Sequence, residues 1–219
     1  MHSVIESATG VRDRRRAETT RTLVSLARRA TAASGLTGFT VEELCDEAGI
    51  SRRTFFNYFA SKEDAVLGFA LHHDTTEIDE FFVAMRPKTA PGELSANLVS
   101  DYAALTEARW TSFEFDHTDA AELMAAAERE PRLVTHMIDR HRADEVKDFA
   151  LVARREGLPA DDPRVVAAVQ IVGHLARIAV PASLDPDSPT TFAAALDRQI
   201  AAAHALFSSQ TPNDTESTR

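Results

Sequence analysis

The segment from Thr40 to Phe59 constrains the fold of this chain more than any other part of the sequence. It reads TVEELCDEAGISRRTFFNYF, and apolar side chains recur every three to four residues on both sides of a central glycine. Thr40 and Glu43 have the T-x-x-E spacing of a capping box, which predicts the start of a short helix. Gly49 can adopt positive φ at little cost, which suits a tight turn into a second short helix. The segment therefore predicts a helix-turn-helix corner.

The second of these helices has a polar and aromatic outer face. Arginine can bond guanine through two N–H groups, asparagine can bond adenine, and an aromatic ring can contact the thymine methyl group. The N–H groups at a helix start attract phosphate, which adds candidates at the starts of the neighbouring helices. We therefore predict contact with double-stranded DNA by Thr40, Ser51, Arg52, Arg53, Thr54, Phe56, Asn57, Tyr58 and Lys62.

The charge is distributed unevenly along the chain. The net charge is −10, yet residues 1–62 hold ten basic and seven acidic side chains, against fourteen and twenty-seven in the remainder. A mildly basic head on an acidic body indicates a nucleic-acid-binding module joined to a second function. Residues 1–16 carry arginines at positions 12, 14, 15 and 16, and we predict a flexible arm there that can reach the DNA backbone or minor groove.

The rest of the chain also has helical periodicity, with prolines and glycines between the periodic stretches. We predict an all-α fold of about nine helices. The first four cover about 17–34, 40–49, 51–58 and 61–85, and later ones cover about 93–108 and 118–129 or begin near residues 131, 162 and 188. The predicted domains are 1–70 and 71–208, followed by a disordered tail at 209–219.

Residues 17–70 resemble the DNA-binding domain of the TetR (tetracycline-repressor) family of bacterial transcription regulators. The matching residues are Gly35, Phe39-Thr40-Val41, Ala48-Gly49-Ile50-Ser51, Thr54 through Phe59, and Ser61-Lys62-Glu63. Two positions depart from the family pattern: Phe56 stands where many members have tyrosine, and Ala30-Thr31 replaces a bulkier apolar pair. The resemblance implies a homodimer formed by the last two helices (about 163–180 and 189–207). It also implies repression at a palindromic operator and release by a small-molecule effector bound in the helical body.

The effector itself is constrained only loosely. The stretches Glu130-Pro131-Arg132, Gly157-Leu158-Pro159 and Asp161-Asp162-Pro163 resemble a subgroup associated with acyl-coenzyme-A-like ligands. The resemblance thus implies a small hydrophobic or acyl-type effector, whose binding would move the fourth helix. Aromatic and soft side chains of the body are candidates for lining its site: Phe81, Met85, Tyr102, Trp110, Phe113, Met137 and His141.

Other function classes have less support. The sequence has no G-x-S-x-G, G-x-x-x-x-G-K, H-E-x-x-H or G-x-G-x-x-G motif, so we expect no enzyme, no metal and no cofactor. Cys45 falls on an inward helix face and is expected to be a core residue. We expect a cytoplasmic protein with no membrane segment. Two alternatives stay open: a helical enzyme with a helix-turn-helix-like corner, and a DNA-binding protein without an effector.

Overall fold

The computed structural model describes residues 2–113, 115–185, 187 and 190–208, with side chains from residue 14 onward. This part of the chain contains ten helices and no strand, which confirms the all-α class and a helix count close to nine. The helices are α1 (His2–Ser34), α2 (Val41–Ala48), α3 (Arg52–Tyr58), α4 (Lys62–Leu67), α5 (Thr76–Ala84), α6 (Leu98–Ser112), α7 (His117–Arg129), α8 (Arg132–Glu156), α9 (Pro163–Leu184) and α10 (Phe192–Ser208).

The first helix is longer than predicted. It begins at His2 instead of about Ala17, so the backbone of the predicted arm continues α1. The sequence offers a physical reason, because residues 2–34 contain no proline and Gly10 as their single glycine. The side chain of Arg12 and the predicted tail at 209–219 lie outside the described residues.

The prediction of one continuous fourth helix to about Met85 is wrong. The helix ends at Leu67 because Gly68 takes a left-handed conformation (φ 81°) and its N–H bonds to the carbonyls of Asp64 and Ala65. The N–H of Leu71 then donates to the carbonyl of Tyr58 at 2.8 Å. A separate helix, α5, starts only at Thr76, and this split accounts for the tenth helix.

The chain divides into two units. Unit 1 comprises residues 1–74 and 115–144, and unit 2 comprises residues 75–114 and 145–219. The core of unit 1 lies between α1, the corner α2–α3, α4 and α7, with the following buried side chains: Leu23, Val24, Leu26, Ala27, Leu36, Phe39, Leu44, Cys45, Phe55, Phe59, Ala65, Val66, Ala126 and Leu133.

A buried arginine joins three helices of unit 1. Arg28 on α1 is 1% exposed, and its Nε–H donates to the carbonyl of Val66 on α4 at 2.9 Å. Its Nη1 donates to the carboxylate of Asp119 on α7 at 2.6 Å. Burial lowers the pKa of Arg28 while Asp119 raises it, and the guanidinium stays charged in either case. The pair anchors α7 to the N-terminal helices.

Two further hydrogen bonds tie residues 115–144 to the N-terminal part of unit 1. The N–H of Leu36 donates to the Glu130 carboxylate at 3.2 Å. His136 Nε2 lies 2.8 Å from a carboxylate oxygen of Asp64, which is buried in the first turn of α4. Contacts therefore group residues 115–144 with the N-terminal helices, while the domain boundary near residue 70 stays a prediction.

Unit 2 is built around α9. Its core joins side chains of α6, α9 and α10 with the end of α8, and Val165, Val172 and Val152 are completely buried. Arg155 is also buried, donating to the Phe82 carbonyl at 3.1 Å and forming ion pairs with Glu156 and Asp101. Within unit 2 the pair with Asp101 joins the end of α8 to the start of α6.

Candidate nucleic-acid interface

Caps at the starts of α2 and α3 and a left-handed glycine between them fix the α2–α3 corner. The Thr40 hydroxyl accepts from the Glu43 N–H at 3.1 Å, and the Glu43 carboxylate accepts from the Thr40 N–H at 2.7 Å. The second bond is the main reason why the pKa of Glu43 lies below its usual value. Gly49 has φ 67°, and the Ser51 hydroxyl accepts from the Thr54 N–H at 3.1 Å. The predicted capping box and left-handed turn are confirmed.

Helix α3 is anchored through one face and presents the other to solvent. Phe55 and Phe59 are completely buried in unit 1, and their rings lie 5.8 Å apart. The predicted contact residues lie on the outer side. Those that are exposed are Ser51, Arg52, Arg53, Phe56 and Asn57, whereas Thr54 and Tyr58 are half-buried. An outer face with guanidinium and amide donors beside an aromatic ring can bind base edges in a major groove.

The two predicted phosphate contacts already have partners within unit 1. The Thr40 hydroxyl and N–H belong to the capping box. Lys62 Nζ donates to the carbonyls of Leu36 and Phe39, the second at 3.0 Å, and lies 4.9 Å from the centre of the Phe39 ring. An ammonium group has three N–H donors, so two carbonyl contacts leave one for a phosphate.

One contact on this surface was not anticipated from the sequence. Arg52 Nη1 forms an ion pair with the carboxylate of Glu42 on α2, and the guanidinium lies 5.5 Å from the centre of the Phe56 ring. The Arg52–Phe56 contact has a sequence signal, namely the i, i+4 spacing on a helix. The Glu42 contact crosses the turn, and only the angle between α2 and α3 brings the two side chains together.

The predicted effector-site residues fall in both units. Tyr102 lies in the core of unit 2, where burial first and then Asp148 raise the pKa of its hydroxyl, which donates to Asp148 at 2.8 Å. Trp110 stacks on Phe192 with ring centres 5.2 Å apart. Others in unit 2 are exposed, namely Phe81, Met85 and Phe113, and unit 1 holds the exposed Met137 and His141.

Unit 2 also carries a groove between α6 and α10 with a volume of about 140 Å³. It is lined by Ser100, Ala103, Ala104, Glu107, Ala193, Leu196, Asp197 and Ile200, none of which is a predicted effector contact. Sites for drug-sized ligands usually measure about 300–1,000 Å³, so this groove fits only a small group.

Two further features concern metals and membranes. Among the described residues, no group of three or more His, Cys, Asp or Glu side chains is placed to hold a metal ion. Cys45 is buried in unit 1, and burial raises the pKa of its thiol. Helix Pro163–Leu184 is long and apolar enough to cross a membrane, and 28% of its most apolar stretch is buried. Core helices of soluble proteins can have the same length and apolar composition, although they are mostly buried.

Comparison with known proteins agrees with this geometry. The model of the family described as bacterial regulatory proteins, tetR family, matches residues 23–67, which span the end of α1 through α4. The HTH-type transcriptional regulator TcmR of Streptomyces glaucescens is 30% identical over 166 residues, covering 73% of this chain and 71% of the relative. The fold and the similarity define a DNA-binding transcriptional regulator of the helix-turn-helix class. The chain belongs to the TetR family.

Proposed function

We propose that this regulator is a homodimeric repressor that leaves a palindromic operator when a small hydrophobic or acyl-type effector binds. The observation that carries the proposal is the outer face of α3. Arg53 and Asn57 are exposed there, on a helix held rigidly by the fully buried Phe55 and Phe59. A rigid helix positions its donors without a large loss of conformational entropy on binding, which favours reading of base edges.

The contact residues divide into two groups by chemistry. Arg52, Arg53 and Asn57 read base edges, and the Phe56 ring contacts a thymine methyl group. The hydroxyl groups of Thr40, Ser51, Thr54 and Tyr58 and the free N–H of Lys62 bind phosphates, and phosphate contacts set register without reading sequence. The Phe56 ring has no hydroxyl for phosphate, so the phosphate contact shifts to these neighbours.

The dimer forms through α9 and α10, over about residues 163–180 and 189–207. Exposed apolar side chains on these helices support the assignment: Ile171, Ile178, Leu206 and Phe207 are 41%, 44%, 64% and 66% exposed. An apolar patch of this kind is typical of an interface between subunits. A dimer would also cover part of the apolar surface of α9. With that surface covered, the apolar character of α9 is consistent with a cytoplasmic location.

The effector site lies in unit 2 and involves the predicted residues Phe81, Met85, Tyr102, Trp110 and Phe113, while a role for Met137 and His141 of unit 1 stays a prediction. The Phe81 side chain is 67% exposed, and exposure of a large aromatic ring to water is unfavourable. This exposure supports a surface at Phe81 that the effector covers when it binds. The effector must bind more tightly to the conformation that does not bind DNA, and operator DNA must weaken effector binding by the same factor. The split between α4 and α5 replaces the single moving helix expected from sequence with two short helices.

The test is fluorescence anisotropy with a labelled fragment from upstream of the gene, over a salt series. Asn57→Ala should weaken operator binding about tenfold or more, because it removes a base contact. Arg53→Ala should weaken operator binding by a similar factor. Its matched control is Arg142→Ala, which removes an exposed arginine of α8 and should leave operator binding unchanged. Equal binding of operator by the Asn57→Ala variant and the wild type would contradict the proposed reading face.

The effector is tested on the same complex. Acyl-coenzyme-A esters of several chain lengths and uncharged hydrophobic compounds are titrated into protein bound to the operator. Release of DNA by one class supports the repressor and identifies the effector class. Selective DNA binding that no compound releases favours the effector-independent alternative. Turnover of a compound without selective DNA binding favours the enzyme alternative.

A further inference from the structure

The guanidinium of Arg52 is held from two sides. Glu42 on α2 binds Nη1, and the Phe56 ring lies 5.5 Å from the central carbon of the guanidinium. The Phe56 ring is itself fixed, because it meets the fully buried Phe55 edge-on with ring centres 5.3 Å apart. The side chain of Arg52 is nevertheless 64% exposed. Arg52 is thus oriented before any DNA is present.

Helix α2 is an unexpected neighbour for a polyanion. It carries four acidic side chains and no basic one, and Glu42, Asp46 and Glu47 are exposed. The remaining acid, Glu43, is engaged in the capping box. Free carboxylates near DNA weaken binding to every sequence about equally, because the phosphates are the same everywhere. Glu42 differs from Glu47 in that its carboxylate is paired with a side chain of α3.

We propose that Glu42 is a positioning residue that gives Arg52 its base specificity. This inference rests on the proposed role of α3 as the reading helix. Glu42 binds Arg52 through Nη1 and leaves the Nε–Nη2 edge of the guanidinium for the two acceptors of a guanine. The negative charge of the Glu42 carboxylate also offsets the positive charge of Arg52, so Arg52 binds weakly to DNA that offers it only backbone phosphates.

Removing Glu42 therefore has opposite effects on the two kinds of DNA. On the operator, Arg52 loses its fixed orientation and must be ordered at the moment of binding, which weakens the complex. On unrelated DNA, Arg52 without its carboxylate partner is available to bind phosphates, which strengthens the complex. The ratio of the two affinities should fall, and folding stability should change little because the pair is exposed.

The test is a double-mutant cycle with Glu42→Ala, Arg52→Ala and the double variant, in the full-length protein. Dissociation constants are measured by anisotropy for the operator fragment and for a scrambled fragment of equal length. Glu47→Ala removes the same charge from the same helix and serves as the matched control. Loss of general repulsion acts equally in both Arg52 backgrounds, so the coupling term isolates the effect that passes through Arg52.

We expect Glu42→Ala to lower the ratio of operator to scrambled affinity on the order of tenfold when Arg52 is present, comparable to one base contact. With Arg52→Ala the same change should leave the ratio unaltered, and Glu47→Ala should leave it unaltered in both backgrounds. An equal change in the two backgrounds, or no change, overturns the role of Glu42. The Asn57→Ala variant separates this outcome from failure of the proposed function. If Asn57→Ala still binds the operator as wild type does, α3 is not the reading helix and both proposals fall.

Discussion

Arg28 offers the sharpest test of how unit 1 is held together. Arg28→Met keeps most of the side-chain volume but removes every hydrogen bond of the guanidinium. The Val66 carbonyl loses its donor at 2.9 Å, and a buried acceptor left without a partner costs about 1–3 kcal/mol. Asp119 loses an ion pair at 2.6 Å, but its side chain is 29% exposed, so water partly replaces the arginine. This second loss costs about 1 kcal/mol.

Together these losses predict that Arg28→Met lowers the free energy of unfolding by about 3 kcal/mol, at the lower end of the range for broken buried ion pairs. Urea denaturation followed by circular dichroism measures it. With a denaturant slope of about 2 kcal/mol per molar, the midpoint should fall by roughly 1.5 M.

The control for this prediction is the next residue along the same helix. Arg29 is exposed, and Arg29→Met should change the unfolding free energy by less than about 0.5 kcal/mol. If the two variants shift the midpoint equally, the guanidinium of Arg28 does not join α1, α4 and α7, and the reasoning is refuted.

Four further tests concern the corner and the core. Gly49→Ala should destabilise by about 1 kcal/mol in urea denaturation through backbone strain alone, because φ is 67° and no atom lies within 4 Å of an added Cβ. Thr40→Ala should cost about 1 kcal/mol at neutral pH by the same measurement. The pKa of Glu43 is lowered in the folded protein, so its carboxylate stabilises the fold above its unfolded-state pKa, and this stabilisation is lost as the pH falls through its folded-state pKa. Glu43→Gln should therefore flatten the acid side of a plot of unfolding free energy against pH. Burial raises the pKa of the Tyr102 hydroxyl above its unfolded-state pKa near 10. The stability that comes from keeping this phenol neutral is therefore complete below about pH 10 and declines at higher pH. In an ultraviolet titration, the Tyr102 phenol should ionise only when the protein unfolds.

Local chemistry made the reading corner predictable. The cap at Thr40, the turn at Gly49 and the cap at Ser51 each depend on residues within four positions, so the sequence displays them directly. The burial of Phe55 and Phe59 likewise follows from their i, i+4 spacing on one face of α3. These elements also fix which side chains of α3 face outward.

Contacts between distant segments were not predictable in the same way. Arg28 and Asp119 are separated by 91 residues, and Leu36 and Glu130 by 94. No local pattern indicates such pairs, so the sequence cannot predict that residues 115–144 pack with the N-terminal helices. The end of α4 at Leu67 is hard to predict for a different reason, because a glycine inside a helical pattern is compatible both with a continuing helix and with a C-terminal cap such as Gly68.

The acidic balance of the chain bears on how such a regulator finds one site among many. Residues 63–219 hold twenty-seven acidic and fourteen basic side chains, and α2 adds four acids to the corner itself. The acids of α2 oppose DNA binding most directly, because in a helix-turn-helix the first helix crosses the DNA backbone. They lower affinity for all DNA, and only sequences that satisfy Arg52, Arg53 and Asn57 offset that penalty. An acidic α2 therefore lowers the affinity for every sequence by a similar factor, selectivity between sequences comes from the side chains of α3, and a shallow salt dependence on unrelated DNA is the expected signature of α2.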